Sequence, residues 1–283
     1  MSAIERRFFV NGYQLAAKEW NTGAEIKVIA SHGWLDNAAS FDILAPLLKH
    51  CHIMALDMPG HGLSDHKSPQ ASYNIWDDLL DILAIADELG WDTFNLLGHS
   101  RGAMISMLLA ASMPQRINAL LMLDAVLPLP VSVEDTAQQL NQFLVERRQV
   151  SHKKLPGYSS IDEAVQARCK AANMNPAIAR LIVERGLEAK GAGYFWTTDA
   201  RLTTASAFKM TAEHNRAIFE AVTIPSLLLL AEGGLGARKV FINFAERYPT
   251  LNFQTLPGSH HFHMEEQAAD IAAITEQFFL EVD

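Results

Sequence analysis

The pentapeptide Gly98-His99-Ser100-Arg101-Gly102 constrains this chain more than any other stretch. It follows a short apolar run, Phe94-Asn95-Leu96-Leu97, and leads straight into a helix-compatible one, Ala103-Met104-Ile105-Ser106-Met107-Leu108-Leu109. A G-x-S-x-G pattern between a strand and a helix is the sequence form of a nucleophile elbow. The chain must turn abruptly there, and glycines two before and two after the serine let the two backbones approach without a clashing Cβ. The serine hydroxyl then projects above the sheet, at the N-terminus of a helix whose dipole favours developing negative charge.

Such an elbow needs a sheet beneath it. Residues 8–10 and 13–16 flank Asn11-Gly12, a strong hairpin signal. Strands are predicted at 26–31, 52–57, 94–98 and 119–124, alternating with helices at 38–48, 75–89 and 101–112. From about 131 to 222 the strand pattern stops, and 137–150, 161–172, 176–187 and 212–221 read as helices. Alternation resumes with a strand at 226–231, a helix at 240–248, a strand at 252–256 and a helix at 268–280. Strand–helix alternation implies an α/β fold with a mostly parallel central sheet flanked by helices. A helical block inserted between two sheet strands reads as a cap over the strands' C-terminal ends, where ligands bind in such sheets. The expected organisation is a core domain of residues 1–130 and 223–283 and a helical cap of residues 131–222.

Composition narrows the function classes. The 283 residues are 49% hydrophobic and 19% charged, enough apolar content for one large folded domain with an insertion. A net charge of −9 argues against nucleic acid and anionic membrane surfaces as partners. No apolar run reaches membrane-spanning length, and the first residues show no secretory signal pattern. Two cysteines, Cys51 and Cys169, suggest reduced thiols of a cytoplasmic protein, not a disulfide framework. The expected partner is a small-molecule substrate, and the chain is expected to be a monomer or a homodimer.

A serine hydroxyl is a poor nucleophile at neutral pH and needs a base, an orienting acid and donors for an oxyanion. The base is sought in Pro257-Gly258-Ser259-His260-His261-Phe262-His263-Met264, which follows the last predicted strand. His260 is the favoured base, His261 the alternative, and His263 a packed or surface residue. With no Cys or carboxylate pattern beside these histidines, no metal site is expected. For the acid, Asp124 at the tip of a buried strand is favoured, because a charge there needs a partner. Glu232 in the loop after residues 226–231 is the alternative. The oxyanion hole is assigned to the backbone N–H groups of Trp34 and Arg101. The Arg101 guanidinium either clamps a substrate carboxylate or pairs with a resident acid such as Asp36 or Asp57. The Trp34 indole lines the pocket or packs in the core, His99 packs beneath the elbow, and Asp57 and His61 are structural.

These residues match the α/β-hydrolase superfamily over nearly the whole chain: the His32-Gly33-Trp34 turn, the loop from Asp57 to Gly62, the Ser100 elbow and the late His260. More narrowly the chain resembles the serine hydrolase-like proteins, through His32-Gly33-Trp34-Leu35-Asp36-Asn37, Gly60-His61-Gly62-Leu63-Ser64, Asp199-Ala200-Arg201-Leu202 and Pro257-Gly258-Ser259-His260. Where many such enzymes carry an aspartate after the strand at 226–231, this chain has Gly234. An acid at the position of Asp124 is similar to that of one haloalkane dehalogenase subgroup and the related coelenterazine luciferases. Dehalogenases use an aspartate nucleophile, and Ser100 stands in its place here. The resemblance implies a hydrolase. The expected reaction is acyl transfer from a small or medium apolar ester through Ser100, without metal or organic cofactor. A lyase, a cofactor-independent oxygenase or a triad-bearing small-molecule receptor is the alternative.

Overall fold

The structure is a computed structural model and describes residues 2–150, 155–235 and 251–282. Strands β1 (Ile4–Val10) and β2 (Tyr13–Trp20) form an antiparallel hairpin. Its two turn residues, Asn11 and Gly12, both have positive φ, 53° and 86°. That twist matches the flanking strands, and glycine reaches it without strain. Strands β3 (Ile26–Ser31), β4 (Cys51–Leu56), β5 (Phe94–His99), β6 (Ile117–Leu123), β10 (Ser226–Gly233) and β11 (Asn252–Ser259) complete an eight-stranded sheet in the order β1-β2-β4-β3-β5-β6-β10-β11. Every pairing from β4 to β11 is parallel. The central strands are buried on both faces and are correspondingly rich in Leu, Ile, Val and Ala.

One face of the sheet packs on helices α1 (Asp78–Glu88) and α2 (Arg101–Ser112), around Ile82, Ile85, Phe94, Ile105 and Leu109. The other face packs on residues 38–48 and on the C-terminal helix Ala268–Val282, around Phe41, Leu44, Leu48, Phe262, Ile271 and Phe279. The predicted helix at 38–48 is two separate 3-10 turns, Ala38–Phe41 and Ala45–Leu47. Pro46 accounts for the break, because its ring excludes a continuous helix through the preceding turn. The predicted helix at 240–248 lies outside the described residues.

Between the neighbouring strands β6 and β10 come helices α3 (Thr136–Gln149), α4 (Ile161–Ala172), α5 (Pro176–Gly186) and α6 (Ala212–Ala221). The stretch also holds three strands that the pattern did not predict. These are β7 (Gly157–Tyr158), β8 (Leu187–Lys190) and β9 (Gly193–Trp196), in the order β7-β9-β8. β8 reads Leu-Glu-Ala-Lys, four good helix formers, and continues directly from α5. The hairpin turn at Gly191, with φ 60°, overrides that propensity and folds the chain back.

This insertion is tied to the sheet through buried charge. Arg185 of α5 donates Nε–H to both oxygens of Asp57, at 2.9 and 3.0 Å, and its terminal nitrogens reach Glu5. Asp57 is fully buried and also accepts from the backbone N–H groups of Ala38 and Leu63. Its role is structural. Arg185→Ala strands a buried carboxylate and is expected to cost about 3–5 kcal/mol in denaturant unfolding, with a smaller loss for the double replacement Arg185→Met, Asp57→Asn. An Arg185→Ala variant as stable as the parent would show the pair to be dispensable.

Candidate functional site

The elbow has the strain its sequence requires. Ser100 sits at φ 53° and ψ −114°, in a region L-residues rarely occupy. Its N–H donates to Leu123 O at 3.0 Å, which holds the turn against β6. A Cβ on Gly98 would lie 2.5 Å from the Ala103 backbone, and one on Gly102 would overlap the Ser31 carbonyl. Only glycine at both positions lets strand, helix and β3 come this close. Ser100 is half-buried, at the C-terminal edge of the sheet.

The loop after β11 brings His260 over the serine. His260 Nε2 lies 2.9 Å from Ser100 Oγ, and His260 Nδ1 lies 2.6 Å from Asp124 Oδ2. Asp124 is fully buried and follows β6 directly, with φ 54°. Its Oδ1 accepts from Ala231 N–H at 3.0 Å, and its Oδ2 accepts from Leu235 N–H at 2.7 Å as well as from His260. Three donors around one carboxylate fix its orientation. Any Cβ on residue 234 would overlap Asp124 Oδ2. Gly234 therefore leaves the space that Asp124 fills, so its lack of a side chain and the acid on β6 are two sides of one arrangement. The alternative acid, Glu232, is exposed at the end of β10.

His99 lies beneath the elbow, fully buried, and donates Nε2–H to His260 O at 2.8 Å. The alternative base, His261, points away from Ser100: its Nε2 lies 3.1 Å from Asp36 Oδ2. His263 is buried, its ring centroid 4.2 Å from that of His99. Burial, reinforced by the neighbouring imidazoles, holds His99 and His263 well below the usual histidine range. Asp36 is the residue the sequence did not connect to this cluster. Burial pushes its carboxyl up, but His261 and Arg168 of α4 outweigh that and hold it well below the usual range. Asp36, His99 and His261 present ligand atoms within 4.8 Å of one another, the one such metal-compatible group among the described residues. The guanidinium of Arg168 already occupies the carboxylate as an ion pair.

Trp34 lies just after β3, and Arg101 opens α2 just after the elbow. Arg101 is the first residue of α2, so its N–H has no acceptor within the helix. Trp34 lies in the turn after β3, closed by Asp36 N–H donating to Gly33 O. Trp34 is 52% exposed and its indole donates Nε1–H to Leu202 O at 3.0 Å, so it is not packed in the core. Beside it opens a cavity of about 380 Å³, lined by Trp34, Arg101 and Tyr73 and by residues of the insertion. The Arg101 guanidinium pairs with Asp78 at 2.5 Å, and with neither Asp36 nor Asp57. Met107 is core, and Met104 packs against the same cluster. Cys51 is buried and Cys169 half-buried, and neither forms a disulfide with another described residue. No described helix is long and apolar enough to cross a membrane.

The comparisons with known proteins agree with this architecture. A profile of the α/β-hydrolase fold matches residues 28–153. A serine hydrolase-like protein of Dictyostelium discoideum is 31% identical over 96% of this chain and 80% of its own length. A serine hydrolase-like protein of Danio rerio is 26% identical over 97% of this chain and 88% of its own. The crystal structure of a hypothetical protein from Pseudomonas aeruginosa PAO1 superposes with a TM-score of 0.94 at 39% identity, covering 98% of this chain and 99% of that one. A thioesterase domain from the curacin biosynthetic pathway shares the fold, with a TM-score of 0.85 at 22% identity over 99% of this chain and 100% of that one. With its elbow, its parallel sheet and these relatives, the chain belongs to the serine hydrolase-like proteins of the α/β-hydrolase fold.

Proposed function

We propose that the protein hydrolyses a small or medium-sized carboxylic ester through an acyl-enzyme on Ser100. One observation carries the reading: an unbroken line of hydrogen bonds, 2.6 Å from Asp124 to His260 and 2.9 Å from His260 to Ser100, ends on a strained serine at a helix N-terminus. Ser100 Oγ attacks the ester carbonyl carbon while its proton passes to His260 Nε2. The carbonyl electron pair moves onto oxygen, facing the N–H groups of Trp34 and Arg101. Collapse breaks the ester C–O bond, and the leaving alkoxide takes the proton from His260. Water then repeats the sequence on the acyl-serine, releasing the acid and returning the proton to Ser100. Asp124 keeps the proton on Nδ1, so that Nε2 is free to accept, and stabilises the imidazolium. Residues 131–222 act as the cap of this site, which Leu202 reaches through Trp34 and Arg168 through Asp36.

Product analysis in ¹⁸O-water tests the proposal. An ester such as p-nitrophenyl butyrate is expected to give alcohol and acid, with one labelled oxygen in the acid. A trapped adduct of the acyl group should map to Ser100. Products of elimination or of oxygen insertion would contradict the reading and place the chemistry in a lyase or an oxygenase. Capture of the ligand without release of products would place it in a receptor.

A further inference from the structure

The cavity beside Trp34 and Arg101 has a charge opposite to that of the whole molecule. The chain carries 32 acidic against 23 basic residues. Yet three cations, Arg101, Arg201 and Lys209, line this cavity of about 380 Å³, and among the described residues no carboxylate does. Two of the three are compensated from behind. Arg101 pairs with the buried Asp78. Arg201 pairs with Asp199 and also donates to the carbonyls of Lys67, Ser68 and Ala71. Lys209, on the loop before α6, makes no ion pair among the described residues. The cavity wall thus carries one positive charge with no ion-pair partner among the described residues, in the same lining as Trp34 and Arg101. Partly enclosed walls of one sign concentrate a counter-charge more strongly than open surface does.

Resting on the ester-hydrolase reading above, we infer that the substrate carries a carboxylate, bound in this cavity by Lys209. A single net positive charge suits a monoanion, and the neutral polar and aromatic lining, Ser72, Asn74, Tyr73 and Phe143 among it, suits a short chain between ester and carboxylate. Arg101 assists from the elbow without being the primary anchor, since Asp78 holds its guanidinium. The binding step needs no change in the acyl-transfer chemistry.

Two pairs of matched esters test the inference. The first pair is p-nitrophenyl hexanoate and the mono-p-nitrophenyl ester of adipic acid, which differ at the acyl terminus. The second pair is phenyl butyrate and 4-carboxyphenyl butyrate, which differ on the alcohol side. The readout is the ratio of kcat/KM, anionic over neutral, which does not depend on how much of a variant is active. In at least one pair the wild-type ratio is expected to be about tenfold or more. Lys209→Arg should keep it, Lys209→Met should bring it close to one, and Lys209→Glu should invert it. Added salt should lower it in the wild type. No charge preference in either pair, or a preference that survives Lys209→Glu, would overturn the inference while leaving ester hydrolysis standing. Failure of the wild type to react with a neutral fluorophosphonate would instead remove the ester-hydrolase reading, and this inference with it.

Discussion

Ser100→Ala is expected to lower ester turnover roughly 10⁴–10⁶-fold, and Asp124→Asn by about 10⁴-fold. The first change removes the attacking oxygen and leaves the fold intact, because Ser100 contributes its N–H, not its hydroxyl, to the contact with Leu123. The second is more specific. Asp124 Oδ1 faces the N–H of Ala231, and Oδ2 faces both the N–H of Leu235 and Nδ1 of His260. An asparagine must turn its NH₂ towards one of these donors. With the amide oxygen at the Oδ2 position, His260 keeps a neutral acceptor but loses the charge that stabilises its imidazolium. With the amide turned over, Nδ1 meets a donor, and the proton moves to Nε2, where it blocks acceptance from Ser100. Either outcome slows acylation, while KM changes little because no substrate contact is lost. Steady-state kcat and KM for both variants, with thermal unfolding as a control, check this. An Asp124→Asn variant within tenfold of the parent in kcat would show that the carboxylate is structural.

The second large effect is on stability in mild acid. His61, His99 and His263 are buried, and burial holds each well below the usual histidine range; His32 is lowered in the same way, to a smaller degree. A histidine that stays neutral in the folded state but takes a proton in the unfolded chain penalises folding as pH falls through its unfolded value of 6.5. Stability is therefore full above about pH 7.5 and is lost progressively below 6.5. Each strongly lowered histidine contributes about 1.4 kcal/mol per pH unit in that range, so the three give a loss of about 4 kcal/mol between pH 7.5 and 5.5. Asp42 and Asp81 work in the opposite direction, since burial raises their carboxyls and folding then favours the protonated forms as pH falls. Asp36 is depressed, so its contribution is present above about 3.8 and disappears only below that. Urea unfolding at pH 7.5 and 5.5 should show the midpoint falling steeply at unchanged slope. Equal midpoints would mean that the histidine cluster takes up protons without unfolding.

What could be read from the sequence follows the range of the forces involved. The elbow was legible because its constraints are local: Gly98 and Gly102 answer to backbone within a few residues or on the adjacent strand. The central strands were legible because burial on both faces leaves a continuous apolar run. Asp124 was accessible through desolvation alone, as a charge at the end of such a run must find a partner. The network behind the loop after β11 was not accessible. Arg168, Asp36 and His261 lie 132 and 225 residues apart in pairs, and no local pattern records that meeting. The pairing of Arg101 with Asp78 escaped for the same reason, across 23 residues and a different helix. The strands β8 and β9 escaped because a hairpin turn and tertiary pairing overrode helix-forming residues. The split of residues 38–48 into two 3-10 turns followed from Pro46, whose effect an apolar spacing count does not weigh.

The central claim is that Ser100 is a nucleophile activated by His260 and Asp124. Labelling with a neutral fluorophosphonate, followed by mass-spectrometric mapping of the modified residue, tests it without any choice of substrate. The account predicts one adduct per chain, on Ser100, formed quickly in the wild type, much more slowly in His260→Ala, and absent in Ser100→Ala. No adduct, an adduct on another residue, or an unchanged rate in His260→Ala would contradict it.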